Sequence, residues 1–165
     1  QIAERDPLTG IFNRRGFQRT VDQLLARQPN TLTVMMLDID HFKRVNDRFG
    51  HAAGDQVLVC MGDILRDALR ASDIFARLGG EEFAVISLDT GKAGTLALAE
   101  RMRAAIEHSE IPGVGADQPL RCTVTIGISD GFSSTQALDE AMQQADAALY
   151  RGKSCGRNRI EWALA

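Results

Sequence analysis

The sequence feature that most constrains the fold is the apolar run at residues 31–39, which is rich in Val, Met and Leu. Apolar side chains occupy both alternating sets of positions along this run, whereas a strand with one solvent-facing side would alternate apolar and polar residues. The run therefore predicts a central strand that is buried on both faces, with other elements packed against each side of the sheet. It is far too short to span a membrane.

Helical periodicity predicts five helices around this strand. The first is expected to run to about Gln28 and to be ended by Pro29 and Asn30. A second begins near Phe42, and a long amphipathic helix covers residues 54–69. Two further helices lie in the second half of the chain, so helices are available for both faces of the sheet.

Four further strands are predicted. Two short apolar runs flank Gly79 and Gly80 and indicate a β-hairpin, because both turn glycines can take positive φ. Residues 120–128 alternate as a strand with one buried face, and residues 159–162 form a short closing strand. Because the hairpin is antiparallel, this order favours an α/β sandwich with a mixed central sheet over a doubly wound parallel sheet.

Size, charge and cysteine usage exclude several classes of protein. The 165 residues correspond to one domain, and the net charge of −3 excludes the strongly basic surface that nucleic-acid polymers require. Three cysteines without CxxC spacing argue against a disulfide framework and a zinc cage, so a cytoplasmic location is expected. No signal peptide opens the chain. Since the first residue is Gln rather than Met, the chain is expected to be a fragment of a longer protein.

Carboxylates stand in two segments where a fold alone would not require them. Asp38 lies among apolar neighbours at the end of the central strand, and Glu81 and Glu82 follow the hairpin glycines. A buried carboxylate is costly unless a positive group meets it, and Mg²⁺ is commonly held by one or two carboxylates plus substrate phosphates. If strand and hairpin are neighbours, Asp38 and Glu81 are placed to clamp a metal. Two metals about 4 Å apart would suit phosphoryl or nucleotidyl transfer.

The structural alternative is that these acids cap helices or pair with arginines. For Asp40 this alternative stays fully open, because its side chain is placed to cap the helix that starts near Phe42. For Asp38 and Glu81 together, the metal role is favoured.

No known phosphate-binding loop is present: the sequence contains neither GxxxxGK[ST] nor a strand–GxGxxG–helix pattern. A grip on phosphates must therefore come from side chains such as Lys43, Lys153 and Arg157. For the last two, a solvated basic tail is the alternative explanation.

Five groups of residues follow one another in an order that is far more specific than any one of them. They are residues 79–83 (GGEEF), 6–15 (DPLTGIFNRR), 38–43 (DIDHFK), 46–47 with 49–55 (ND, FGHAAGD), and 147–153 with 156–158 (AALYRGK, GRN). Together they resemble the GGDEF family of diguanylate cyclases, with Glu in place of the more common Asp at the third position of the name motif. The resemblance spans about residues 5–160.

The resemblance implies a palm-like nucleotidyl cyclase fold and a reaction that joins two GTP molecules into cyclic di-GMP and releases two pyrophosphates. Each 3′-hydroxyl attacks the α-phosphate of the other nucleotide. Asp38, Glu81 and Glu82, with the backbone carbonyl of Ile39, resemble the ligands of two Mg²⁺ ions, with Mn²⁺ as an alternative metal. Glu82 alternatively helps to activate the 3′-hydroxyl. Lys43, which also resembles a catalytic residue, joins Lys153 and Arg157 as triphosphate contacts.

Guanine recognition is implied for Asn46 and Asp55. A carboxylate accepts from the N1–H and N2–H₂ donors of guanine, a pair that adenine lacks, so Asp55 favours GTP over ATP. The alternative is that Asp55 caps the next helix. Gly79 and Gly80 would let the backbone approach the nucleotide closely.

A regulatory motif is also implied. Residues 70–73 (RASD) resemble the RxxD site at which the product inhibits the family, and Arg101 lies where a second arginine often contributes. Arg70 offers a planar fork for phosphate or guanine, and Asp73 accepts from guanine. The alternative is a local ion pair between these two residues.

The resemblance further implies a transient homodimer, because one GTP site holds only half of the reaction. Residues 1–4 are then the tail of an upstream sensory or dimerisation segment, and residues 5–165 are the cyclase domain on the cytoplasmic side, whether or not the parent chain is anchored in a membrane. The alternative function is a catalytically silent domain that acts as a receptor for GTP or cyclic di-GMP.

Overall fold

A five-stranded mixed sheet organises the molecule. The computed structural model describes residues 4–27, 31–88, 90–114, 118–132 and 134–164. The strand order is β2-β3-β1-β4-β5, with only β4 and β5 parallel. The strands are β1 (Leu32–Ile39), β2 (Ile74–Gly79), β3 (Glu82–Leu88), β4 (Val124–Phe132) and β5 (Ile160–Trp162). The predicted mixed sheet and order of elements are confirmed.

Five helices cover the two faces of this sheet. They are α1 (Arg14–Arg27), α2 (Phe42–Phe49), α3 (His51–Ala68), α4 (Gly91–Glu107) and α5 (Thr135–Ser154). None of the helices in the described ranges is both long and apolar enough to cross a membrane. Residues 1–3, expected to belong to an upstream tail, and residues 28–30, expected to end the first helix, lie outside the described residues.

Strand β1 is central and buried on both faces, as predicted. Its alternate side chains enter two separate apolar clusters. One cluster joins β1 to α2, α3 and α4, and the other joins it to α1 and α5. The contributing residues are Met35, Leu37 and Ile39 on the first side and Leu32, Val34 and Met36 on the second.

The predicted strand at residues 120–128 differs from the observed β4 in two ways. It begins only at Val124, because Leu120 instead forms an isolated bridge with Ile111. It is also buried on both faces rather than one. Helix α5 lies so close to Gly127 that a Cβ at this position would overlap the backbone of Ala145 and Leu149. Small residues on this face therefore serve close helix packing, not exposure to solvent.

The contrast between two buried glycines tests this packing. Gly127→Ala should lower the free energy of unfolding by about 3 kcal/mol or more, because the added methyl meets backbone that cannot move aside. Gly62→Ala in α3 is the matched control. Its Cβ would lie 3.7 Å from Thr9, an ordinary contact. It should raise stability by about 0.5–1 kcal/mol through helix propensity. Urea unfolding of both variants measures the difference, and equal effects would contradict this account of β4.

Candidate active site

Two of the candidate carboxylates face each other across neighbouring strands. Asp38 near the end of β1 pairs with Glu82 at the start of β3, and Glu81 immediately precedes Glu82 in the connecting turn. Directly opposite residues of an antiparallel pair have Cβ atoms about 4.5–5.5 Å apart and share a face of the sheet. The prediction that the strand and the hairpin are neighbours is confirmed. Asp38, Glu81 and Glu82 lie where β1 ends and β3 begins, and this end of the sheet is called the carboxylate edge below.

The hairpin turn is held by a side chain that the sequence did not single out. Arg77 Nε donates to the carbonyl of Gly80 at 2.8 Å, and its Nη1 donates to Asp6 Oδ1 at 2.9 Å. Gly80 has φ +49°, so the turn needs the freedom of glycine there. The turn residues are Gly80 and Glu81, since Gly79 still pairs with Glu82 in the sheet. Arg77 therefore ties the hairpin turn to the N-terminal motif.

Only one of the two carboxyl oxygens of Asp38 has a hydrogen-bond partner within the described residues. Burial raises its pKa from 3.8 to about 6, against the lowering effect of the Lys153 ammonium and with smaller raising effects from Glu81 and Asp40. Lys153 Nζ donates to Asp38 Oδ2. Oδ1 is buried, and within the described ranges no group hydrogen-bonds to it. One oxygen of a partly buried carboxyl is thus without a partner in the described part of the chain.

Glu82 lies in a similarly desolvated position. Burial raises its pKa from 4.5 to about 6, and Asp146 and then Asp38 raise it further, while Arg14 lowers it. Asp146 is therefore close enough to Glu82 to act on its carboxyl. Asp146 on α5 and Arg14 on α1 were not predicted as site residues, because polar residues on the outer side of an amphipathic helix look like ordinary solvent-facing positions.

These residues fit a divalent cation held partly by its substrate. The unpartnered Asp38 Oδ1, with Glu81, Glu82 and the end of β1 at Ile39, offers the oxygen ligands that Mg²⁺ prefers. In the part of the chain that the structure describes, no three metal-ligating side chains form a complete cage.

Asp40 has a structural role, and the expectation that it caps α2 is wrong. Helix α2 is preceded by His41, whose side chain makes no capping bond. The Asp40 carboxylate instead accepts from Thr123 Oγ1 at 2.7 Å, Thr125 Oγ1 at 2.6 Å and the backbone N–H of Asn158 at 2.9 Å. It therefore fixes the loop after α5 to the end of β1.

That loop presents the basic residues. Arg157 is exposed, and both it and Asn158 have positive φ (63° and 48°). Asn158 Nδ2 donates to Glu107 at 2.6 Å, and its Oδ1 accepts from Arg103 at 2.8 Å. These bonds offset a backbone conformation that L-residues rarely adopt. The loop is thus held in a shape that leaves the Arg157 side chain available.

Positive charge surrounds the start of α2. Partial burial, and then the charges of Arg44 and Arg157, lower the pKa of His41. His41 has φ +58°. In the described part of the chain, Arg157 and Asn158 are the other non-glycine residues with positive φ. Lys43 is exposed on the first turn of α2. Arg44, Arg157 and Lys153 all act on His41, so the start of α2 faces a cationic region. The phosphate contacts expected of Lys43, Lys153 and Arg157 stay a prediction.

The candidate guanine contacts lie on the other side of the sheet from α5. Asn46 on α2 is half-buried, and a Cβ at Gly54 of α3 would overlap its Oδ1, so a side chain at Gly54 would displace the Asn46 amide. Asp55 follows Gly54 and is exposed. The expectation that Asp55 caps α3 is wrong, because α3 begins at His51 with Gly50 as its N-cap.

The candidate inhibitory residues lie together, near the start of β2 and away from the hairpin turn. Arg70 contacts Asp73 Oδ1 at 3.3 Å, and its backbone N–H donates to Asp73 Oδ2 at 2.8 Å. Arg101 on α4 donates to the carbonyl of Ala68 at 2.9 Å. The local ion pair considered as an alternative is therefore present.

Comparisons with known proteins agree with this arrangement. The family described as "Diguanylate cyclase, GGDEF domain" matches residues 3–159. Diguanylate cyclase DgcP of Pseudomonas aeruginosa is 43% identical over 99% of this chain and 24% of its own length. Probable diguanylate cyclase DgcT of Escherichia coli is 42% identical over 96% of this chain and 35% of its own length.

A solved structure gives the same result. The coiled coil and GGDEF domain of DgcB from Caulobacter crescentus, in complex with c-di-GMP, superposes with a TM-score of 0.88 at 30% identity. That match covers 98% of this chain and 86% of the DgcB chain. The present chain spans about a quarter to a third of the length of the two curated relatives. By sequence and by fold, it belongs to the GGDEF family, the catalytic domain of diguanylate cyclases.

Proposed function

We propose that this domain condenses two GTP molecules into cyclic di-GMP with release of two pyrophosphates. The observation that carries the proposal is the partly buried Asp38 carboxyl, whose Oδ1 lacks a partner within the described residues. It lies beside Glu81 and Glu82 and a cationic region. Membership of the family and the diguanylate cyclase names of its relatives support the same reaction.

In the proposed reaction, the 3′-oxygen of one GTP forms a bond to the α-phosphorus of the other, and the bond from that phosphorus to pyrophosphate breaks. Bound Mg²⁺ would neutralise charge on the reacting phosphate and lower the pKa of the attacking hydroxyl. Asp38, Glu81 and the Ile39 carbonyl would hold it, and Glu82 would add a ligand or accept the hydroxyl proton. Lys43, Lys153 and Arg157 would neutralise the triphosphate and the leaving pyrophosphate.

Lys153 contacts the Asp38 carboxylate. An ammonium and a metal cation compete for the same carboxylate, so Lys153 would turn toward the phosphates if Asp38 held the metal. The Lys153 contact itself keeps the partly buried carboxyl partly neutralised.

The proposal includes the substrate and the assembly. Asn46 and Asp55 would form hydrogen bonds with the edge of the guanine base, and the backbone at Gly79 and Gly80 would lie close to the nucleotide. The second GTP must come from a second protomer, so a transient homodimer is part of the proposal. An upstream sensory or dimerisation segment would bring the protomers together, on the cytoplasmic side where GTP is available.

Product inhibition is the proposed role of Arg70, Asp73 and Arg101. DgcB, a relative of similar fold, has been solved with c-di-GMP. The three residues already lie near one another, and the Asp73 side chain is only 1% exposed behind Arg70. A ligand would therefore have to compete with the Arg70–Asp73 pair. The alternative of a silent receptor domain is disfavoured because the candidate metal and phosphate residues are all present.

Turnover tests the proposal directly. The domain, fused after a leucine zipper that supplies dimerisation, should convert GTP with Mg²⁺ into cyclic di-GMP on nucleotide chromatography. Glu81→Gln keeps the shape and removes the charge, so it should lower product formation at least about 100-fold while circular dichroism stays unchanged. Glu110→Gln, on an exposed pair with Arg121, is the matched control. Unconverted GTP with the parent domain would favour the receptor alternative, and near-normal turnover by the Glu81 variant would remove this residue from the metal site.

The affinity of the domain for the metal should fall as the pH is lowered. Burial raises the pKa of both Asp38 and Glu82 to about 6, so protons compete with the metal below that pH. Between pH 7 and pH 5 the affinity for Mg²⁺ should fall about tenfold for each carboxyl that must lose its proton. Calorimetric titration at pH 5, 6 and 7 measures this change, with Asp38→Asn removing its share. An affinity that does not vary with pH would contradict the assignment of these ligands.

The inhibitory site has its own test. Arg70→Ala should raise the concentration of cyclic di-GMP that halves the initial rate by about tenfold or more, since a guanidinium contact to phosphate or guanine is lost. Each protein is compared with its own uninhibited rate, and Arg121→Ala serves as the control. If the Arg70 variant is inhibited as strongly as the parent, the inhibitory role of this residue is wrong.

A further inference from the structure

One face of α5 runs along the carboxylate edge. Asp146, Tyr150 and Lys153 are spaced four and three residues apart, so they lie on the same side of the helix. The two outer members lie at the site: Lys153 contacts Asp38, and Asp146 is close enough to Glu82 to raise the pKa of its carboxyl. Tyr150 therefore lies between two residues that adjoin candidate catalytic carboxylates.

Packing does not account for Tyr150. Its side chain is 73% exposed, whereas its neighbour Leu149 is buried against the sheet. Across the described ranges, its ring stacks on no other aromatic side chain and its hydroxyl makes no hydrogen bond. A large aromatic side chain presented to solvent at the edge of a ligand site is well suited to stack on a planar ligand.

The face of the sheet on which each helix packs indicates which ligand Tyr150 would contact. Asn46 and Asp55, the candidate guanine contacts, belong to α2 and α3, which pack on one face of the sheet. Helix α5 packs on the opposite face. A guanine held by Asn46 and Asp55 thus lies across the sheet from Tyr150, with the carboxylates at the edge between them.

Resting on the proposed function, we propose that Tyr150 stacks on the guanine of the second GTP, the one carried by the partner protomer, and so positions its 3′-hydroxyl. The carboxylate edge is where the two nucleotides must meet. Asp146 and Lys153 bracket this point, and Tyr150 supplies the only large exposed apolar surface on this stretch of α5 in the described part of the chain. It is a positioning residue for the incoming nucleotide, distinct from the contacts that hold the first.

Spectroscopy tests the contact without relying on turnover. Tyr150 is the single tyrosine of the chain and Trp162 the single tryptophan. Fluorine NMR of protein labelled with 3-fluorotyrosine therefore gives one resonance from position 150, and labelling with 5-fluorotryptophan gives a reference on β5. With Mg²⁺ and a non-hydrolysable GTP analogue, the tyrosine resonance should shift in the zipper-linked dimer and not in the dilute monomer, although both bind the analogue.

Two results would overturn the inference. One is a resonance that does not move in the nucleotide-loaded dimer. The other is an equal shift in the monomer, which would mean that Tyr150 contacts the nucleotide of its own protomer. A shift in the dimer before nucleotide is added would point to a protein–protein contact instead and would also contradict the stacking role.

Kinetics supply the second measurement. Tyr150→Ala should lower kcat of the zipper-linked dimer about tenfold or more, while Tyr150→Phe keeps most of it, because stacking needs the ring and not the hydroxyl. The affinity of the monomer for the GTP analogue and the unfolding midpoint should not change. Leu164→Ala removes another exposed side chain (75%) as a control.

If the parent dimer makes cyclic di-GMP and the Tyr150→Ala variant has the same kcat, only this inference fails. If the parent makes none, the proposed function fails, and the fluorine signal still decides whether Tyr150 meets a second nucleotide.

Discussion

Asp38 places a carboxylate near the end of a strand that has no solvent-facing side. The arrangement of the site depends on which groups compensate the charge of this carboxylate. The only cation in contact with it within the described residues is Lys153 of α5, which packs on the same face of the sheet. Burial raises the pKa of the carboxyl to about 6, and one of its oxygens keeps no partner. The protein thus tolerates an incompletely compensated carboxylate, which is a cost that a bound cation would offset.

Asp40, two residues further on, shows the contrasting arrangement. Its carboxylate accepts hydrogen bonds from Thr123, Thr125 and Asn158, so both of its oxygens have partners within the protein. The two aspartates thus have opposite roles although the sequence around them looks alike. A fully bonded acid holds the loop that presents Arg157, and a partly bonded acid faces the site.

The order of helices and strands and the carboxylate edge could be predicted, because periodicity and an acid at the end of an apolar strand are local signals. The features that were missed depend on distant contacts. Gly127 allows α5 to lie against β4, so a strand with an alternating pattern is buried on both sides. The capping role expected for Asp40 gives way to bonds with residues far along the chain. Asp146 looks like any polar residue on an amphipathic helix until the register of β1 and β3 brings Glu82 beside it.

The distance along the chain between the acids and their partners also bears on biosynthesis. Asp38 and Lys153 are 115 residues apart in sequence, and Asp40 and Asn158 are 118 apart. A ribosome that adds about 5–20 residues per second needs roughly 6–24 s to cover that interval. During this time β1 exists without the groups that satisfy its carboxylates, so the nascent domain cannot complete its site. The candidate site therefore forms only after the segment that contains Lys153 and Asn158 has been synthesised, and a chain truncated before Lys153 would lose the site together with part of its core.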